Sequence, residues 1–273
     1  MSRTNRLLRW SALSLLLALA VAPLYWILIT SLKTPREVIL RIPTLIPRVV
    51  TLANYLEVLQ SGVLRNFANS LAVAALSTGL SIVLGFSAAY ALSRHRFPLR
   101  FNKVFLIWVL VVKLLPPMVL SVPLYELFAS AGLLNSLFGL AVVYQVYTLP
   151  YALWILVGFV RGIPREIEEA AQIDGAGPGA TLTRIIVPLS AGGIAATSIF
   201  CAIMAWDEFL FALLFVRRPQ MLTLPLRVVN YITEYETEWG PLMAIGVLAS
   251  IPLLLLTGFV YRRLSEGFTA SLK

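Results

Sequence analysis

The sequence predicts an all-α membrane protein with six transmembrane helices. Composition is the first observation behind this reading: 59% of the 273 residues are hydrophobic and only 13% are charged. Soluble domains sit near ~45–50% apolar and ~25% charged. Charge spacing is the second. No charged residue falls between Arg9 and Lys33, Arg65 and Arg94, Glu126 and Arg161, Arg184 and Asp207, or Glu238 and Arg262. Each interval exceeds the roughly 20 residues that cross a ~30 Å hydrocarbon core. A sixth apolar stretch, Val104 to Tyr125, is interrupted by Lys113 alone.

These intervals place spans at 10–30, 67–92, 104–125, 136–160, 188–214 and 240–261. The first follows Arg3, Arg6 and Arg9 but stays apolar from Trp10 to Ile29, longer than the ~7–15 residues of a signal-peptide core. Tyr25, Trp26 and Ile27 stand where a cleavage site would need small residues, so a retained helix is expected. Residues 31–65, with Pro35, Pro43 and Pro47, predict an irregular loop with a short helix near Asn54–Leu59. The chain therefore divides into 1–65 (first span and loop), 66–262 (a five-helix core containing a loop at 161–187) and a tail, 263–273. With alternating spans and the N-terminus inside, thirteen Lys and Arg fall on the cytoplasmic side and eight outside. The excess favours both termini in the cytoplasm.

The same composition excludes several functions. The net charge of +9 comes from residues flanking spans, with no basic run interleaved with aromatics, so nucleic-acid binding is not expected. One cysteine (Cys201) rules out an internal disulfide, a Cys-only metal site and a redox pair, and the one histidine (His95), set in a basic loop, argues against a His-based metal site or a Ser-His-Asp triad. Cys201 reads as a packing residue and His95 as a solvated loop residue. No Gly-x-x-x-x-Gly-Lys-[Ser/Thr] loop is present, so the chain has no nucleotide site of that kind. An intramembrane enzyme is the rival reading, weakened by the lack of a Ser-His pair or paired intramembrane aspartates.

The loop from Arg161 to Pro188 is the informative segment. Pro164 suits a helix's first turn, and Glu166, Glu168 and Glu169 complement its dipole. Ile167, Ala170 and Ala171 supply a small apolar face, and Gly175 can stop the helix at positive φ. Pro178 can open a second short helix, apolar at Leu182, Ile185 and Ile186, and Pro188 opens the fifth span. A small-faced helix–turn–helix in the cytoplasm is a docking element, because small residues permit close approach of backbones.

Glu169-Ala170-Ala171, Gly175, Ile185 and Pro188 stand at the spacing of the Glu-Ala-Ala loop of ATP-binding-cassette (ABC) importer permeases, with Val187 where Leu is usual. Other pieces resemble the sugar-permease branch, in particular the maltose-type smaller subunit: Lys113-Leu-Leu-Pro-Pro-Met, Pro123-Leu-Tyr125, Gly132-Leu-Leu-Asn135, Leu149-Pro150, and Ala205-Trp206-Asp207-Glu208-Phe209. The resemblance covers residues 15 to 265. It implies a type I ABC importer permease fold in a prokaryotic inner membrane, crossing it several times. It also implies a second, larger permease, two ATP-binding subunits carrying ATP and Mg2+, an extracytoplasmic sugar-binding protein and a sugar substrate. No cofactor or metal is expected on this chain. The residues that would couple it to the ATPase are Glu168, Glu169, Ala170, Ala171, Asp174, Gly175, Ile185 and Pro188. Permeases for glycerol phosphate, amino acids or peptides are the alternative branch. The tail, by resemblance, either reaches between the ATPases or is a solvated end.

Polar residues within spans are costly and mark functional or paired sites. Lys113 lies near the middle of span three, and Pro116 and Pro117 remove two backbone donors just beyond it. These three form either a gate in the substrate path or a kink with a paired lysine. Trp206, Asp207 and Glu208 late in span five, and Tyr144, Gln145 and Tyr147 in span four, are further candidates for a translocation path. Trp206 either stacks on a sugar or sits in an interfacial belt.

Overall fold

The computed structural model describes residues 3–95, 97–98, 101–232 and 237–270, with side chains described from Arg9 to Gly258. Arg96, Arg100 and the last three residues of the tail lie outside the described residues. Among those described the chain is helical, with one isolated bridge between Ile232 and Thr237.

The elements run α1 (Arg3–Ser31), α2 (Pro35–Val38), α3 (Ala53–Gln60), α4 (Val63–Arg94), α5 (Phe101–Leu114), α6 (Pro117–Ser130), α7 (Leu137–Val143) and α8 (Gln145–Arg161). Then come α9 (Arg165–Ile173), α10 (Pro178–Thr181), a π-helical turn (Leu182–Ile186), α11 (Val187–Leu189), α12 (Ala191–Trp206) and α13 (Leu210–Phe215). A 3-10 turn (Pro219–Met221), α14 (Leu224–Val228), a second 3-10 turn (Val229–Tyr231) and α15 (Trp239–Ala270) complete the chain. The short helix expected near Asn54–Leu59 is α3. The backbone of α15 stays helical through Ala270, into the segment read from sequence as a tail.

Among the described residues, three segments are long and apolar enough to cross a membrane as single helices: Arg9–Ser31, Val63–Arg94 and Trp239–Gly258. The other three spans are not straight. The third bends by 97° between α5 and α6, the fourth by 49° between α7 and α8, and the segment Pro178–Leu189 meets α12 at 74°. Six spans result if each bent pair is counted as one. The breaks have local causes. Pro116 is extended at φ −58°, ψ 129° and Pro117 opens α6, because a residue before proline avoids the α region. Ahead of Pro188, which cannot donate an N–H, the helix widens, and the Val187 N–H reaches back five residues to Leu182 O. The fifth apolar stretch, expected as one helix over 188–214, stops at Trp206 and resumes at Leu210.

The chain forms two compact units: Met1–Arg65 with Arg227–Leu255, and Asn66–Leu226 with Leu256–Lys273. In the first, Asn54 Nδ2 donates to Ser31 O and Lys33 O at 2.8 and 2.9 Å. Ser61 and Tyr231 share a hydroxyl hydrogen bond of 2.9 Å. Gly240 packs on Asn54 with no room for a Cβ.

In the second unit α12 packs along α8. One apolar cluster gathers Phe86, Ala89, Leu106, Leu156, Val160, Ile186 and the free thiol of Cys201. Another is aromatic, with Phe215 edge-on to Phe128 at 5.3 Å and to Phe211 at 5.6 Å. The strand-like connection after α13 is held by side chains. Asn135 Oδ1 accepts from the amides of Arg217 and Arg218 at 2.7 and 3.0 Å. Asn69 Nδ2 donates to Gln220 O and Leu222 O, both at 2.9 Å.

Candidate functional site

The loop between α8 and α12 folds as a knob. Pro164 precedes α9, whose first turn carries Glu166 and Glu168. At its end the Ala176 N–H donates to Ala171 O at 2.9 Å, and the Gly175 N–H to Gln172 O at 3.0 Å. This is the Schellman pattern, and it requires a left-handed residue after the cap. Gly175 supplies it at φ +82°. Gly177 and Pro178 then start α10, which runs through the π turn into α11.

The eight loop residues singled out from sequence separate into two sets. Glu169, Ala170, Asp174, Gly175 and Pro188 are exposed. Glu168 and Ala171 are turned inward, 7% and 6% exposed, and Ile185 packs against the apolar cluster around α8. Glu168 Oε1 accepts from Arg94 Nε at the end of α4 in a short ion pair. Its Oε2 accepts from Tyr90 Oη at 3.0 Å. Arg94 Nη2 also donates to Ile163 O at 2.9 Å. Arg165 reaches back to the carbonyls of Ser93 and Arg94, both at 3.2 Å. The knob is thus fastened to α4 by its first turn.

The free face of α9 presents Glu166, Glu169, Ala170 and Ile173, the i, i+3, i+4, i+7 positions of one helix side. Ile173 is 86% exposed, a large aliphatic residue left uncovered by the described residues. Reading the sequence for small residues missed Ile173; its offset of seven from Glu166 was the available signal.

The intramembrane candidates also fall into two sets. Trp206 is 4% exposed, edge-on to Phe67 with ring centroids 5.3 Å apart. Glu208 is buried, and its carboxylate accepts from the amides of Phe211 at 2.8 Å and Ala212 at 3.3 Å. It thereby caps α13, where a negative charge complements the helix dipole. Tyr144 and Tyr147 lie beside the Glu208 carboxylate. Gln145, at the α7–α8 break, spends its amide internally. Its Nε2 donates to Ser77 O at 3.1 Å and Ala141 O at 2.9 Å, and its Oε1 accepts from Ser81 at 2.7 Å. Thr148 Oγ1 lies 2.6 Å from the Ser81 hydroxyl. This satisfies the polar groups that a broken helix exposes.

Asp207 ends α12 and is exposed. Lys113, Pro116 and Pro117 sit at the sharpest bend. Lys113 Nζ lies 3.2 Å from the centroid of the Tyr151 ring, a cation–π contact. Lys113, Pro117 and Tyr151 border a cleft of about 170 Å³ lined also by Tyr147 and Met204. Of the path candidates, Lys113, Pro116 and Asp207 are therefore open to solvent or neighbours, while Tyr144, Trp206 and Glu208 serve the core.

A family model for binding-protein-dependent transport system inner membrane components matches residues 81–269, which include the whole knob and the fourth and fifth spans. The chain belongs to that family. The sulfoquinovosyl glycerol transport system permease protein SmoH of Agrobacterium fabrum is 38% identical to this permease over 96% of its length and 92% of the relative's. The trehalose transport system permease protein SugB of Mycobacterium tuberculosis is 32% identical over 96% of this chain and 95% of the relative. Among solved structures, a chain of a bacterial ABC transporter that imports the acidic polysaccharide alginate superposes with a TM-score of 0.80, covering 96% of this permease and 98% of that chain at 21% identity. That likeness establishes the fold. The permease is thus a helical membrane component of a transport system with several parts.

Proposed function

We propose that the permease is one of two membrane subunits of an ATP-driven carbohydrate importer in a prokaryotic inner membrane. In this reading both termini are cytoplasmic, and the chain forms half of the translocation path. A second permease completes the path. Two ATP-binding subunits hold ATP and Mg2+, and an extracytoplasmic binding protein delivers the sugar. The carbohydrate class is supported by the relatives, whose names specify sulfoquinovosyl glycerol and trehalose. The observation that carries the coupling role is the knob. Its free face offers Glu169, Ala170 and an uncovered Ile173, while Glu168 and Arg165 fasten its other side to α4. Pressure on the free face therefore has a rigid route into the membrane helices. Lys113, Pro116 and Pro117, at the bend beside the small cleft, are the residues proposed to border the sugar path.

The test is the complex reconstituted with its partners in liposomes. Glu169→Ala and Ile173→Ser are expected to leave assembly intact and reduce sugar-stimulated ATP hydrolysis and uptake by tenfold or more. Unchanged stimulation in both variants overturns the coupling role. Uptake competed by glycerol phosphate or amino acids and not by sugars overturns the carbohydrate class.

A further inference from the structure

The loop that follows α1 is built inside out. Two of its charged groups, Lys33 and Glu37, face inward. Lys33 is 3% and Glu37 7% exposed. Lys33 Nζ donates to Thr44 O at 2.5 Å, and the Glu37 carboxylate accepts from Thr44 Oγ1 at 2.6 Å and the Arg48 amide at 2.9 Å. Its aliphatic side chains face outward: Ile42 is 81% exposed, Leu45 68%, Ile46 75%, Val49 60% and Val50 67%. Monomeric water-soluble surfaces seldom carry a contiguous apolar patch of this kind without a partner for it.

The position of the loop says what the partner is. Its two ends meet at the end of α1, where the Thr51 N–H donates to Leu32 O at 2.9 Å. Its middle folds back along the helix: Tyr25 Oη donates to Leu45 O at 2.7 Å. Tyr25 lies six residues before Ser31, the last residue of α1, which is about 9 Å along the axis at ~1.5 Å per residue. Leu45 is therefore held beside the apolar span and not beyond it. Tyr25 and Trp26 are exposed at this level, where aromatic residues anchor spans to the membrane interface. Lys33 Nζ lies 4.6 Å from the Trp26 ring centroid. Arg41 and Arg48, both exposed, flank the aliphatic run and match lipid phosphates in charge.

We infer that residues 39–50 form an interfacial membrane anchor that inserts Ile42, Leu45 and Ile46 into the headgroup–acyl boundary of the leaflet at the Ser31 end of α1, with Arg41 and Arg48 on lipid phosphates. Interfacial elements of this type bury their apolar face by roughly 5–10 Å.

Spin labels test this in the assembled transporter, in nanodiscs of phosphatidylethanolamine and phosphatidylglycerol. Cys201 is replaced by alanine, and Ile42, Leu45 and Ile46 are changed to cysteine one at a time. Should Cys201→Ala fail to assemble, the native residue is retained, since it is fully buried, with the unsubstituted chain as the background control. The expected result is higher collision with oxygen than with a water-soluble nickel chelate at all three sites, with depths of roughly 5–10 Å below the phosphates. Labels more accessible to the nickel chelate overturn the inference, because the loop then stands in water. Labels shielded from both reagents also overturn it, because protein then covers the loop.

Discussion

Arg94, the last residue of α4, forms an ion pair with Glu168 in the first turn of α9, and Tyr90 one turn earlier in α4 donates to the same carboxylate. Both members of the pair are closed to solvent. The contact joins the knob to a helix that runs the full apolar thickness, so it is the place to test the proposed coupling without touching the free face.

Removing one partner of a buried pair leaves an uncompensated charge, at a cost of about 3 kcal/mol. Arg94→Ala and Glu168→Ala are each expected to unfasten the knob, raising basal ATP hydrolysis and reducing, without abolishing, its stimulation by sugar. The double variant should be less impaired than the sum of the two. A double-mutant cycle on sugar-stimulated hydrolysis checks this; strict additivity would mean the pair does not couple.

Gly175 adopts φ +82°, and a Cβ there would meet nothing within 4 Å. Any effect of substitution is therefore conformational. Gly175→Ala is expected to destabilise the turn by about 1–2 kcal/mol, and Gly175→Asn by less, since asparagine tolerates this region. Hydrogen exchange of α9 in the assembled complex should rank glycine, asparagine, alanine from slowest to fastest.

Gly193 is buried in α12, and a Cβ at that position would run into the Phe159 ring of α8. Gly193→Ala should lower stability by about 1–3 kcal/mol through overpacking. Adding Phe159→Leu should restore part of the loss. Thermal unfolding in one detergent, measured for the three variants, decides between this and a helix contact with slack.

Glu37 lies in the loop outside the spans, and the Thr44 hydroxyl, then the Arg48 amide, hold its carboxyl below the ordinary carboxylate range. Its contribution to loop order is complete above about pH 4.3, the usual glutamate value, and is lost as pH falls through the lower value of the folded state. Exchange protection of the Arg48 amide, corrected for intrinsic rates, should fall on acidification in the native chain. In Glu37→Gln it should be weaker and flat across the same range.

Lys113 stacks its ammonium on Tyr151 at the α5–α6 bend. If it borders the sugar path, Lys113→Met should raise the KM for uptake severalfold with the maximal rate of ATP hydrolysis retained. Loss of assembly with no change in KM among the complexes that form would make it a structural residue of the bend.

Much of the knob was legible in the sequence because its signals are local. Pro164, the acidic first turn, Gly175 and Pro178 each act through the backbone within a few residues, and they mark the boundaries of α9 and α10. The residues whose surroundings were not legible depend on long-range neighbours. Trp206 lies next to Phe67 and Gln145 next to Ser77 and Ser81, across 60 residues or more. Periodicity cannot say which polar side chain a distant helix will satisfy.

The sequence by itself determined that the chain is helical, apolar and divided into six membrane-length stretches, since hydrocarbon thickness and charge cost act on each stretch alone. Only the tertiary structure decided that three of those stretches bend, and that Glu168 faces inward while Glu169 faces out. It also decided that Glu208 caps a short helix and that the loop after α1 folds back beside its own span. The reason is that adjacent residues on a helix differ in direction by about 100°, so which one meets a partner depends on packing partners far away in the chain.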